Sequence, residues 1–215
     1  MDNRQNKERK FWDKFAFIYD SFIKVIFTGT YKAILENLDS DLNSTCNVLD
    51  IGTGTGIIPF YIGPKVLSVT GIDISPEMIR IAVQKQEDMN IKNIDFQVQD
   101  SYKLNFPDKS FDIVIASNLL HLLFEPDKPI NEVKRVLKDN GTFIAPTICA
   151  GENTRSRIIA AITGALSGFR VVNKWSISEF KTMLTNSGLS INKIVIVNGR
   201  FPLAYIVVGK NTTNN

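Results

Sequence analysis

From Asn47 onward, short runs rich in β-branched residues alternate with longer helical patterns. The strand candidates are 47–51, 67–72, 94–99, 111–117, 141–147, 191–197 and 203–208, and the helices fall near 55–62, 76–89, 127–138, 153–167 and 176–187. Strands joined through helices imply crossover connections, which bring successive strands in parallel and cover both faces of one sheet. The chain is therefore expected to form an α/β fold, a doubly wound, Rossmann-like, seven-stranded sheet. Its last two runs are separated only by NGRFP, Asn198 to Pro202, which is too short for a crossover, so this pair should be an antiparallel hairpin. Ahead of the alternation, Phe11, Trp12, Phe15, Ile18, Tyr19 and Phe22 recur at helical spacing, and residues 5–38 read as a helical amino-terminal segment.

Composition narrows the class. A chain of 215 residues that is 44% apolar can bury one substantial core. Its formal charge of +3 is small and its Lys and Arg are interspersed with Asp and Glu, which argues against a nucleic-acid partner. Cys46 and Cys149 have neither metal-ligand spacing nor a CxxC partner, so no metal site or disulfide framework is expected. The charged start MDNRQNKERK lacks the pattern of an export signal. The longest nearly apolar run, Phe111 to Phe124, is interrupted by Asp112, Asn118 and His121 and is too short to cross a bilayer. These features suggest a cytoplasmic protein. The tail KNTTNN reads as disordered.

Residues 48–58 read VLDIGTGTGII, a strand entering a turn with Gly52, Gly54 and Gly56. Such a turn lets a ligand approach the main chain and opens a helix whose first N–H groups face outward. A nucleoside triphosphate would require a Lys soon after the glycines, and none is there; a dinucleotide would require a third glycine where Ile57 stands. The next strand ends in GIDIS and places Asp73 about twenty residues on, where a carboxylate can accept from both hydroxyls of a ribose. The third strand ends in QVQDS with Asp100, so glycine turn, Asp73 and Asp100 lie at successive carboxyl ends, the edge at which open α/β sheets bind ligands. The alternatives are that Asp73 caps the helix starting at Pro76 and Asp100 caps a turn.

Taken in order, these motifs resemble the class I S-adenosylmethionine-dependent methyltransferases, especially the small-molecule branch that includes the ubiquinone and menaquinone methyltransferases. VLDIGTGTG is similar to that family's first motif, with Asp50 opening it and Gly52, Thr53 and Gly54 beside the methionine part of the cofactor. GIDIS and Met78 match the second, where Asp73 would hold the ribose and Ile74 would flank adenine. QDSYKLNFPDKSFDIVIASNLLHLL matches the next block, in which Asp100 and Ser101 would meet the adenine and Asn118 the methionine end. EVKRVLKDNGTFI resembles the following helix and fifth strand, and FWDKFAFIYDSF the amino-terminal helix that closes over the cofactor, with Tyr19 as its contact. The resemblance runs from about Phe11 to Lys210 and implies strand order 3-2-1-4-5-7-6. It also implies a layout for one domain over 1–215: a helical cap (5–38), a cofactor-binding core (44–150), a lid after strand 5 (151–175), and a closing helix with hairpin (176–209).

The acceptor is less defined. ASNLLH stands where an amine methyltransferase of nucleic acids would carry an N/D-P-P-Y/F box, and no cysteine nucleophile is present there. A small, partly apolar substrate remains. Residues 153–169 offer Ile158, Ile159, Ile162, Leu166 and Phe169 for burial as a lid, and Tyr19 and His121 would border the substrate. His121, the only histidine, is a candidate base, although the LLHLL context favours a packed ring, and no catalytic residue is assigned. KERK and Lys14 around the aromatic helix suggest weak contact with a membrane surface. The readings left open are an S-adenosylmethionine-binding protein without turnover and an NAD-binding oxidoreductase.

Overall fold

The computed structural model describes residues 3–167, 171–198 and 202–210. The chain divides into two compact units, Met1–Phe106 and Pro107–Asn215. The first contains α1 (Asn3–Ile26), α2 (Thr28–Leu38), β1 (Asn47–Ile51), α3 (Ile57–Ile62), β2 (Ser68–Asp73), α4 (Pro76–Met89) and β3 (Ile94–Val98). The second contains β4 (Phe111–Ile115), α5 (Asp127–Val136), β5 (Leu137–Ile148), α6 (Thr154–Ser167), α7 (Ile177–Asn186), β6 (Leu189–Val197) and β7 (Leu203–Lys210). Short 3-10 turns occupy Gly63–Lys65 and Leu120–Leu122. The seven strands have the order β3-β2-β1-β4-β5-β7-β6, as the family resemblance implied.

In the first unit, β1 pairs in parallel with β2 from Asn47↔Ser68 to Ile51↔Ile72, and β2 pairs in parallel with β3 from Val69↔Ile94 to Asp73↔Val98. Val48, Leu49 and Ile72 are completely buried, as the apolar strand runs require. Helix α4 begins where the sequence sets its limit: Pro76 takes the first helical position and the Ser75 hydroxyl accepts from Met78 N–H at 3.2 Å.

In the second unit, β5 runs parallel to β4 and antiparallel to β7, and β6 is antiparallel to β7 with Val197 opposite Leu203. The two strands expected to flank NGRFP thus pair as a hairpin would; positions 199–201 of the connection lie outside the described residues. Tyr205, Phe143 and Phe180 are its largest fully buried side chains. A capping box starts α7, with Glu179 N–H donating to Ser176 Oγ and Ser176 N–H to Glu179 Oε2.

One boundary differs. The helical pattern that was expected to reach 138 stops at Val136, and β5 starts at Leu137, four residues early. Leu137 pairs with Phe111, after which the register slips until Thr142 meets Ile113. Gly141 permits this slip: a Cβ there would stand 2.7 Å from the Leu137 side chain and 3.0 Å from the Asp112 carbonyl oxygen.

Candidate functional site

The first unit builds its site from the turn after β1. Gly52, Gly54 and Gly56 have φ of 71°, 55° and 87°, a left-handed path that favours glycine at each position. The turn is tied down from several sides. Gly52 and Thr53 N–H both donate to the Ile72 carbonyl, Gly56 N–H donates to Thr53 O, and Gly54 N–H donates to Asp73 Oδ2 at 2.9 Å. Of the five N–H groups from Gly52 to Gly56, four are used internally, so the turn arrives preorganised. Asp50 works beneath it. Only 1% exposed, it accepts from Thr53 Oγ at 2.6 Å, and burial pushes its pKa up to about 7 against the pull of that hydrogen bond. Asp50 and Thr53 therefore hold the turn's shape from inside.

Asp73 stands at the end of β2 with one oxygen on Gly54 N–H and the other on Ser75 N–H, also at 2.9 Å. Burial raises its pKa to about 6, the two backbone bonds oppose that rise, and Asp13 adds to it. The helix-cap alternative for Asp73 falls to Ser75, which caps α4. Asp100 does form a turn, accepting Tyr102 N–H at 3.0 Å, and its other oxygen accepts from Gln5 Nε2 at 2.7 Å. Ile74 and Ser101 are half-buried and Met78 is 1% exposed.

Helix α1 crosses all three strand ends. Beyond Gln5 on Asp100, Asp13 accepts from Ser75 Oγ at 2.6 Å, and Asp20 accepts from Thr55 Oγ1 at 2.5 Å while pairing with Lys85. Tyr19 lies over the turn, its hydroxyl 3.1 Å from that of Tyr31, and burial keeps the phenol protonated far above neutrality. The sequence reading named Tyr19 but missed Gln5, Asp13 and Asp20. Their spacing of eight and then seven residues, which puts them on one helix face, was the available signal.

The second unit carries a different feature. Ser117 Oγ, Asn118 Oδ1, both ring nitrogens of His121 and Thr147 Oγ1 are buried with no partner. Asn118 takes a left-handed φ of 52° and donates its N–H to Pro146 O at 2.7 Å, which sets it beside the end of β5 that carries Thr147. His121 sits in the 3-10 turn, 1% exposed, its carbonyl accepting from Val172 and Asn173 N–H, and burial lowers its pKa to about 4. It is a neutral imidazole at pH 7. Ser117 and Thr147 were not singled out from sequence, because each sits in an apolar strand context. On α6 the expected burial of Ile158 and Ile162 does not occur: they are 54% and 55% exposed, while the small residues Ser156 and Ala160 face inward. Ile159 is half-buried, and Leu166 and Phe169 lie outside the described side chains.

Comparison with known proteins agrees with this geometry. A family described as a methyltransferase domain matches residues 42–188. The chain belongs to that family of methyltransferase domains. It is similar to the methyltransferase YcgJ of Bacillus subtilis, 31% identical over 150 residues that cover 68% of this chain and 58% of the relative. The phosphatidylethanolamine N-methyltransferase of Cereibacter sphaeroides is 33% identical over 130 residues, 60% of this chain and 62% of the relative. The ubiquinone/menaquinone biosynthesis C-methyltransferase UbiE of Citrifermentans bemidjiense is 28% identical over 186 residues, 77% and 79% of the two chains. The chain thus spans about six-tenths of the length of the first two relatives. The crystal structure of YcgJ shares the fold, with a TM-score of 0.69 at 21% identity over 84% of this chain and 99% of that one.

Proposed function

We propose that this chain transfers the methyl group of S-adenosylmethionine to a small, partly apolar molecule, as a single methyltransferase domain over 1–215. The observation that carries this reading is the acidic rim of the glycine turn. Asp73 and Asp13 meet at Ser75, and Asp100 follows at the next strand end. A rim of carboxylates suits a ligand that carries positive charge and hydroxyl donors, and it repels a pyrophosphate. Bound there, the cofactor supplies a methyl group already activated by a positive sulfur.

The chain's residues bind and orient. Asp73 accepts from ribose hydroxyls; Asp100 and Ser101 reach the adenine, flanked by Ile74 and Met78. Asp50 and Thr53 keep Gly52 and Gly54 in shape, and Tyr19 closes over the turn and excludes water. In the second unit, Ser117, Asn118, His121 and Thr147 offer neutral hydrogen bonds to a bound polar group, each orphaned group being costly by about 1–3 kcal/mol until paired. With an activated donor, alignment at near-attack distance is the main task, and no general base is required. The 151–175 segment serves as a lid. Relatives named for phosphatidylethanolamine and for ubiquinone/menaquinone biosynthesis support an acceptor with apolar character here too.

The test is incubation of purified protein with methyl-labelled cofactor and a metabolite extract, followed by mass analysis. A labelled, partly apolar small product supports the reading. Cofactor binding without any labelled product would replace it with a non-catalytic binding protein.

A further inference from the structure

The outward face of α1 has a composition that neither core packing nor the cofactor loops require. Its inward face is already committed through Gln5, Asp13, Tyr19 and Asp20. Facing away, Phe17, Ile18 and Val25 are 70%, 56% and 76% exposed, three large apolar side chains on one helix. Lys7, Lys10, Lys14 and Lys24 are exposed beside them. At 100° per residue these seven fall within an arc of about 120°. The arc contains no acid. Asp20, the remaining charged residue exposed between positions 7 and 25, lies outside it and is engaged by Lys85 and Thr55. Arg80, from α4, stands with its guanidinium carbon 6.0 Å from the centre of the Phe17 ring, but it is paired with Glu77 at 2.9 Å and adds no net charge to this face.

Scattered apolar residues on a surface need no explanation, but three large ones sharing one helix face with four lysines and no acid do. No helix among the described residues is long and apolar enough to cross a membrane, so the face suits lying on one. We infer that α1 docks on an anionic lipid surface, with Phe17, Ile18 and Val25 entering the acyl boundary and the lysines meeting acidic headgroups. The occupant follows from charge complementarity: an apolar face of a second copy would bring four lysines against four lysines. The inference rests on α1 alone and goes beyond methyl transfer, placing the protein where a lipid-soluble acceptor resides.

The experiment is co-sedimentation of the full chain with vesicles of phosphatidylcholine alone and of phosphatidylcholine mixed with phosphatidylglycerol. Wild type should bind the mixed vesicles and release in high salt, because screening weakens each lysine's contribution. Phe17→Ser with Ile18→Ser, and separately Lys10→Glu with Lys14→Glu, should each weaken this binding by about tenfold or more. Both variants should retain S-adenosylhomocysteine affinity by calorimetry, which also reports that they fold and keeps this test apart from that of methyl transfer. Absence of vesicle binding, equal binding to both lipids, or salt-resistant binding unchanged in the lysine variant would overturn the proposal. Self-association in light scattering that Phe17→Ser abolishes, without vesicle binding, would assign the face to a second copy and also overturn it.

Discussion

The ring of Tyr19 lies over the side-chain position that Gly54 leaves empty: a Cβ on Gly54 would stand 3.2 Å from Tyr19 Cε1 and 3.5 Å from its hydroxyl oxygen. Helix α1 and the glycine turn are thus fitted closely at one point, where an added side chain would make the ring give way, and the turn's left-handed path at that residue also disfavours one. Gly54→Ala should cost about 1–2 kcal/mol of stability, from the backbone penalty and the displaced ring together. Urea denaturation measures this, and an unchanged midpoint would show that the contact is slack.

Asp73 both shapes the site and faces the ligand. Asp73→Asn keeps the side chain's size but converts one accepting oxygen to a donor, so it sets a donor against Gly54 N–H or Ser75 N–H. Affinity for S-adenosylhomocysteine should fall by about 1.5–3 kcal/mol, the scale of a hydrogen bond to a charged group. Calorimetry on the variant decides; undiminished affinity would remove Asp73 from the cofactor's contacts.

Asp50 gives a pH dependence. Its folded pKa, about 7, lies above the ordinary carboxylate value of 3.8, so the folded chain holds a proton that the unfolded chain releases between about pH 4 and 7. Its contribution to stability therefore declines as pH rises through that window and is worst above pH 7, where a buried carboxylate is ionised. Asp50→Asn removes that decline while keeping an acceptor for Thr53. Relative to wild type, the variant should gain about 1–3 kcal/mol more at pH 8 than at pH 5. Denaturation at the two pH values tests it, and an equal or reversed difference would refute the burial argument.

Much of this architecture was legible from patterning. Alternating strand and helix runs gave the parallel core, and Pro76 marked the start of α4, although its cap is Ser75 and not the Asp73 that the sequence offered. Less legible were features decided by tertiary packing. Gln5, Asp13 and Asp20 look like solvated positions on a polar helix until the strand ends beneath them are known. Leu137 satisfies a helical period as well as a strand, and only its pairing with Phe111 chooses. Thr147 and Ser117 sit among apolar neighbours, where sequence cannot tell a packed hydroxyl from an orphaned one. Ile158 and Ile162 mislead in the opposite direction, since apolar residues at helical spacing do not say which face is covered.

His121 tests the claim that positioning outweighs proton transfer. Held neutral with its pKa near 4, it is a weak base at pH 7. His121→Gln should lower kcat by less than about tenfold once an acceptor is identified, whereas removal of a required base costs about 10²- to 10⁴-fold. A loss of a hundredfold or more in a folded, cofactor-binding variant would make His121 catalytic.

The central claim is that the glycine turn and its acidic rim take S-adenosylmethionine in preference to a dinucleotide. Isothermal calorimetry of the wild-type chain against S-adenosylhomocysteine and against NAD measures this directly. The expected result is saturable binding of S-adenosylhomocysteine with at least about a hundredfold preference over NAD, the pyrophosphate being opposed by Asp73, Asp13 and Asp100. Comparable affinity for the two ligands, or binding of NAD alone, would contradict it.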